Sequence, residues 1–341
     1  MTKSMWVAVV ILFLLFTACG VFMVLLQKDE ELKNVHAFLT RNGINAAVSY
    51  RDISLTVADV AVLKGVSVRP RALPSLQNHT KRFTVRDYRE SGGVPSKIAF
   101  DAEKVSLRLT DVARLLKGDD ESVIDALAFF NPAEDVLNRP LYALMLAGCD
   151  RISANVTGEY AYSPANGNMR LKAGISDKCL GAWTVDVSLS GVSNAQQGQL
   201  VLAFKHFLRK GDPVKDLKNF LDGATVTAFS ASYTESGLVR GYKRYIDTLY
   251  LRRGDAAGAA EAAAVVPAIT GYLSMANAHR QRNTEIAKTL AAFLNAPDRI
   301  TFQSKAGKKV PLRVLSGTFL RRMTDLLLRL DASVVLEKST F

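Results

Sequence analysis

The chain is poor in the residues around which metal and nucleophilic enzymes are built. It has four histidines, His36, His79, His206 and His279, and they are isolated from one another in sequence. It has three cysteines, and none has a second cysteine or a histidine at ligand spacing, so zinc ligation has little support. There is no Gly-x-Ser-x-Gly elbow, no His-Glu-x-x-His helix, no Walker phosphate loop and no Gly-x-Gly-x-x-Gly turn. These absences argue against an enzyme and against any cofactor. Aromatic residues make up only 8% of the chain and are not interleaved with basic runs, so nucleic acid is not an expected partner.

Isolated acidic and polar residues have plain structural explanations. Asp119-Asp120-Glu121 suits the start of a helix, where carboxylates complement the macrodipole. Asp186 falls on the wet side of a strand pattern with no second carboxylate at useful spacing. His206 reads as a surface residue, since a general base needs a positioned partner. Trp183, Tyr160 and Tyr162 fall at apolar positions of alternating segments and are expected in the core.

What the chain does have is one long uncharged run. Met5 to Leu26 holds 22 residues without a charge, and about 20 suffice for a helix to cross a bilayer. A cleaved signal has a shorter apolar region of about 7–15 residues, so the run is expected to be a retained anchor. Phe16-Thr17-Ala18-Cys19-Gly20 loosely matches a lipoprotein cleavage box, but the residues after Cys19 stay apolar to Leu26, which weighs against lipidation. Lys3 precedes the run and Asp29-Glu30-Glu31 follows it, which orients the short tail inward. The expected organisation is a cytoplasmic tail (1–4), a transmembrane helix (5–26), a juxtamembrane helix (27–46) and an extracytoplasmic α+β domain (47–341). That places a single-pass protein in a bacterial inner membrane with its bulk in the periplasm.

The formal net charge is +12, dispersed rather than blocked. Basic residues gather modestly at Lys81, Arg82, Arg86 and Arg89, and again at Lys305, Lys308, Lys309, Arg313, Arg321 and Arg322. Anionic lipid headgroups are one partner for such a surface. A solvated exterior without a ligand is the simpler reading. Cys149 and Cys179 bracket a stretch of strands and would face an oxidising compartment, where a disulfide can persist. Closing that loop would contribute about 3–4 kcal/mol in the chain-entropy model. Two buried free thiols are the alternative.

Periodicity predicts a helix over 28–42 and strands over 47–50, 53–57 and 60–68. The stretch 69–95, rich in proline, glycine and polar residues, is predicted to be a long exposed loop with at most a short strand at 83–85. A strand follows at 98–109, then helices within 112–146. The clearest signal is at 151–190, three alternating segments with Asn166-Gly167 as a hairpin turn, forming an antiparallel meander with one apolar and one wet face. A helical region spans 197–295, interrupted by a strand-like stretch at 224–233. Short strands are predicted at 299–302, 310–315 and 333–336, with a helix or buried segment at 323–330. The fold class is therefore α+β, with an N-terminal transmembrane helix and antiparallel meander sheets packed against helices.

Three segments carry a resemblance. Tyr50-Arg51-Asp52-Ile53-Ser54-Leu55, Val62-Leu63-Lys64-Gly65-Val66-Ser67-Val68 and Lys104-Val105-Ser106-Leu107-Arg108-Leu109 are arranged as at the start of AsmA-like bacterial envelope proteins. The meander ending Leu189-Ser190-Gly191-Val192 is similar to the same group, and together these cover about a third of the chain. The resemblance implies an inner-membrane anchor, a periplasmic domain and a lipid-related role. It supplies no catalytic residues. Unlike the large members, the chain is expected to lack a long run of strands, with helices between its sheets. Three functions compete: a non-catalytic envelope protein in envelope maintenance or lipid handling, a scaffold subunit of an envelope-spanning secretion or motility assembly, and an enzyme acting on lipid or cell wall. Membrane lipid and other envelope proteins are the expected partners.

Overall fold

The structure, a computed structural model, describes residues 48–55, 61–69, 78–91, 94–109, 148–200, 220, 223–239, 241, 280–314 and 325–337. Within them the chain forms β1 (Val48–Ser49), β2 (Asp52–Leu55), β3 (Ala61–Val68), β4 (Asn78–Ser91) and β5 (Val94–Arg108). The meander follows as β6 (Arg151–Ser163), β7 (Asn168–Asp177) and β8 (Gly181–Ser190), and then β9 (Thr225–Thr234). Helix α1 (Arg280–Asn295), β10 (Arg299–Gln303), β11 (Val310–Pro311), a 3-10 turn (Leu312–Val314) and β12 (Ser333–Glu337) complete it.

All twelve strands belong to one antiparallel sheet, in the order β1-β3-β4-β5-β6-β7-β8-β9-β10-β12, with β2 also on β3 and β11 also on β9. The expectation that a long run of strands is lacking is thereby corrected. The described part of the fold is dominated by its sheet, with few helices.

The meander forms where its alternation and turns predict. In β6, Ala154, Val156, Gly158, Tyr160 and Tyr162 are buried while the residues between them are exposed. Gly167 closes the first hairpin at φ +64, with its N–H donating to Ser163 O at 2.9 Å and the Asn168 N–H to Asn166 Oδ1 at 3.1 Å. A left-handed backbone at that position favours glycine.

The predicted loop over 69–95 is wrong. Most of it is β4, a strand of 14 residues paired with β3 on one side and β5 on the other. Phe83 and Val85 point into the core, and the charged residues that suggested a loop form the wet face. There Arg82 meets Glu103 at 3.8 Å, and Arg86 meets Asp101 at 2.6 Å and Glu159 at 3.8 Å. Polar residues on one face of a strand make the same composition as a loop. The strand predicted at 310–315 is also shortened, to two residues followed by the 3-10 turn. The predicted helices over 5–26, 28–42 and 112–146, and most of the helical region 197–295, lie outside the described residues. Among the described residues, no helix is long and apolar enough to cross a membrane.

One core runs along the apolar face of the sheet. It joins Leu63, Phe83, Ile98, Phe100, Val156, Tyr160, Met169, Leu189, Val226 and Leu330. Phe83 stacks on Phe100 at 5.2 Å, and Phe100 lies over Gly158, where an added Cβ would overlap the ring. A second group under α1 packs Tyr233, Phe293 and Ile300 together.

Candidate functional site

The apolar face is not covered evenly. On β7 and β8, Leu171, Ala173, Ile175, Val185 and Val187 are only half-buried, although they occupy the same face as the sealed residues of β5 and β6. Trp183 stands at the end of this strip with 42% of its surface exposed. Tyr160 and Tyr162 are buried as expected, but the expected core position of Trp183 is not what the fold provides. Trp183 lies near the start of β8, opposite Tyr233, at one end of the sheet.

Trp183 is nonetheless held in place. Its ring lies 4.2 Å from that of Tyr233, and its Nε1–H donates to Leu180 O at 2.9 Å. Tyr233 in turn meets Phe293 of α1 edge-on at 5.8 Å. The Tyr233 hydroxyl donates to the buried Glu235 carboxylate, which also accepts the Val239 N–H at 3.0 Å. An exposed indole fixed by a hydrogen bond and a buried aromatic presents a rigid apolar surface, with little side-chain entropy left to lose on contact.

The adjoining corner is tied by the disulfide. Cys149 and Cys179 are bonded, with Cα atoms 6.1 Å apart and 30 residues between them in sequence. The alternative of two free thiols is thereby set aside. Beside the bond, the buried Asp177 carboxylate accepts three backbone N–H groups, from Cys179 at 2.7 Å, Ser153 at 2.9 Å and Leu180 at 3.1 Å. The Ser236 hydroxyl donates to Asp177 O at 3.0 Å, joining the β9 end to the same turn. Asp177 thus holds the β7–β8 turn and the start of β6 as one unit, and Trp183 is attached to that unit through Leu180.

The basic residues do not converge. On β4, Lys81 is exposed, Arg82 and Arg86 pair as described above, and Arg89 meets Asp87 at 3.4 Å. Lys97 also binds Asp87, at 2.7 Å, and holds that carboxyl below the usual carboxylate range. Lys305 pairs with Asp331 at 3.5 Å, while Lys308, Lys309 and Arg313 are exposed. Five strands separate β4 from β10 along the sheet. Arg321 and Arg322 lie outside the described residues. Exposed pairs of this kind contribute about 0–1 kcal/mol each and leave little uncompensated charge on β4.

Among the described residues, no three histidine, cysteine or acidic side chains are grouped to hold a metal ion. Burial pushes the Tyr160 hydroxyl above its ordinary range, with the nearby Gln197 amide opposing the shift. Burial also raises Tyr162, whose hydroxyl donates to Asn194 Oδ1 at 2.7 Å or Val192 O at 3.1 Å. Both tyrosines are core groups, closed to substrate. Alternation marks a strand's apolar face but not what covers it, so sequence reasoning missed the half-covered strip. The alternation within 169–175 and 183–187 was its only signal. No protein-family model matches the chain, and no curated protein matches it significantly.

Proposed function

We propose that the protein is a non-catalytic, single-pass inner-membrane protein whose periplasmic domain handles lipid in the maintenance of the cell envelope. The observation that carries this reading is the half-covered apolar strip of β7 and β8, capped by the exposed Trp183. From Leu171 to Ile175 a strand advances about 13 Å, and the two neighbouring strands lie about 5 Å apart, which is room for a stretch of a single acyl chain. Such a surface in water is a site for something apolar. The uncharged run at Met5 to Leu26 would deliver the domain to a bilayer, and the disulfide suits an oxidising compartment. The resemblance to AsmA-like proteins points the same way.

The test is extraction of the full chain from membranes, followed by mass spectrometry of bound lipid and titration with a fluorescent fatty acid. Lipid should co-purify, and Trp183 emission, read with the other tryptophan removed by W6F, should shift as the probe binds. V187E should lower probe binding by about tenfold, because a carboxylate in an apolar contact must be desolvated. Absence of both bound lipid and an emission shift would end the lipid reading. The scaffold reading draws on a different observation, the open outer side of β12, among the described residues.

A further inference from the structure

The two sides of the sheet end differently. On one side β3 is bordered by two short pieces, β1 and β2, separated by a break at Arg51. There Gly65 has φ +60, and Lys64 pairs with Asp52 at 3.4 Å. A bulged, charged and interrupted border is poorly suited to further pairing. On the other side stands β12, five unbroken residues paired to β10 alone among the described strands. It carries Val335 and Leu336, exposed at 47% and 40%, two of the four large apolar residues exposed among those described.

The direction of its free backbone groups follows from the register. Ser304 N–H donates to Phe229 O at 2.8 Å, and Glu235 N–H to Asp298 O at 2.7 Å, so the even-numbered residues of β10 bond to β9. Hydrogen-bonded pairs alternate along an antiparallel ladder. The odd-numbered residues of β10 therefore bond to β12, through Arg299 with Glu337, Thr301 with Val335 and Gln303 with Ser333. That leaves the N–H and C=O of Val334 and Leu336 pointing away from the sheet.

This pattern is its own complement. Turned about a twofold axis through Val335, a second β12 places Val334 opposite Leu336 and Leu336 opposite Val334, both hydrogen-bonded positions. Val335 meets Val335, and Glu337 meets Ser333 rather than a like charge. The apolar pairs Val334–Leu336 extend the face that carries Ile300 and Phe302, whose partners across the ladder they are.

We infer that β12 is an interaction surface for a second copy of this chain, joined antiparallel about Val335 into one continuous sheet. The inference stands apart from the lipid reading and does not depend on it. A central Val335 pair is a non-hydrogen-bonded pair, with Cα atoms about 4.5 Å apart, inside the disulfide range of about 4.4–6.8 Å.

Full-length chain carrying C19S removes the third cysteine, and V335C is then oxidised mildly in native membranes and run on a non-reducing gel. The expected result is a cross-linked dimer about tenfold more abundant than for V314C, an equally exposed control, because the twofold raises the local thiol concentration. V334C and L336C alone should cross-link weakly, and the two together strongly. A second measurement guards against misfolding. V335K and V335E should each abolish self-association, and co-expression of the two should restore it. The inference is overturned if V335C cross-links no better than V314C, if V334C alone exceeds V335C, or if the lysine and glutamate variants fail to recover pairing when mixed. Capture of another protein's strand by an otherwise monomeric chain would overturn it as well.

Discussion

Around β5 and β6 the apolar face is sealed, and around β7 and β8 it is half covered. Phe100 is 1% exposed and closed in by Phe83 and Gly158, whereas Val187, on the same face, is only half-buried. The two regions share strand type, pairing and alternation. They differ in what lies over them, so tolerance to change should differ even where local structure does not. The sealed region specifies the fold through close packing, whereas the side chains of the half-covered region pack on the core and keep part of their surface open.

The largest expected effect separates the regions directly. F100A should destabilise the protein by about 3–5 kcal/mol, through lost burial and the cavity left behind. V187A should cost about 1 kcal/mol, since its side chain keeps contact with water in the folded state. Equal losses in denaturant titrations of the two variants would erase the distinction.

Removing the disulfide with C149S and C179S together should cost about 3–4 kcal/mol, by releasing the loop it closes. Because Asp177 still holds the turn, the Trp183 emission maximum, read in a W6F background, should stay close to that of the parent at low denaturant. A large red shift without denaturant would show that the bond, rather than the Asp177 hydrogen bonds, fixes the indole.

Glycine offers a sharper pairing. At Gly158 an added methyl group would overlap the Phe100 ring, so G158A should cost about 1–3 kcal/mol by overpacking. At Gly174, on the wet face, the nearest atom to an added Cβ is the Thr157 hydroxyl at 2.6 Å, the end of a side chain that can turn aside. G174A should therefore stay within about 1 kcal/mol of the parent. Thermal melts of both variants decide it.

The smallest effect concerns alkaline pH. Tyr160 ionises less readily folded than unfolded, so its contribution is fully present below the ordinary tyrosine range, near pH 10, and is lost as pH rises beyond it. Y160F should flatten the loss of stability above pH 10 while changing stability at neutral pH little. An unchanged alkaline slope would assign the effect to other groups, Tyr162 among them.

The meander was legible because its signals agree. Val156, Tyr160 and Tyr162 alternate with polar residues, and Asn166-Gly167 permits one tight turn. The pairing of Cys149 with Cys179 was expected from their places on either side of a stretch of strands, with two buried free thiols left open until the bond was seen. β4 was hidden because Lys81, Arg82, Arg86 and Arg89 give a half-wet strand the composition of a loop. Trp183 was misread because alternation assigns a face and is silent about cover. The open side of β12 was hidden for a related reason. Ser333 to Glu337 reads as an ordinary strand, and only the register on β10 tells which of its amides have no strand beside them among the described residues.

From β3 to β10, each strand pairs with the strand just before it, and α1, which lies between β9 and β10 in sequence, contributes no strand. The order of neighbours in space is thus the order of manufacture. A polypeptide emerging amino end first would meet its next template already laid down, and need not wait for distant sections to arrive. Growth can proceed row by row, as in knitting, with the last row left on the needle.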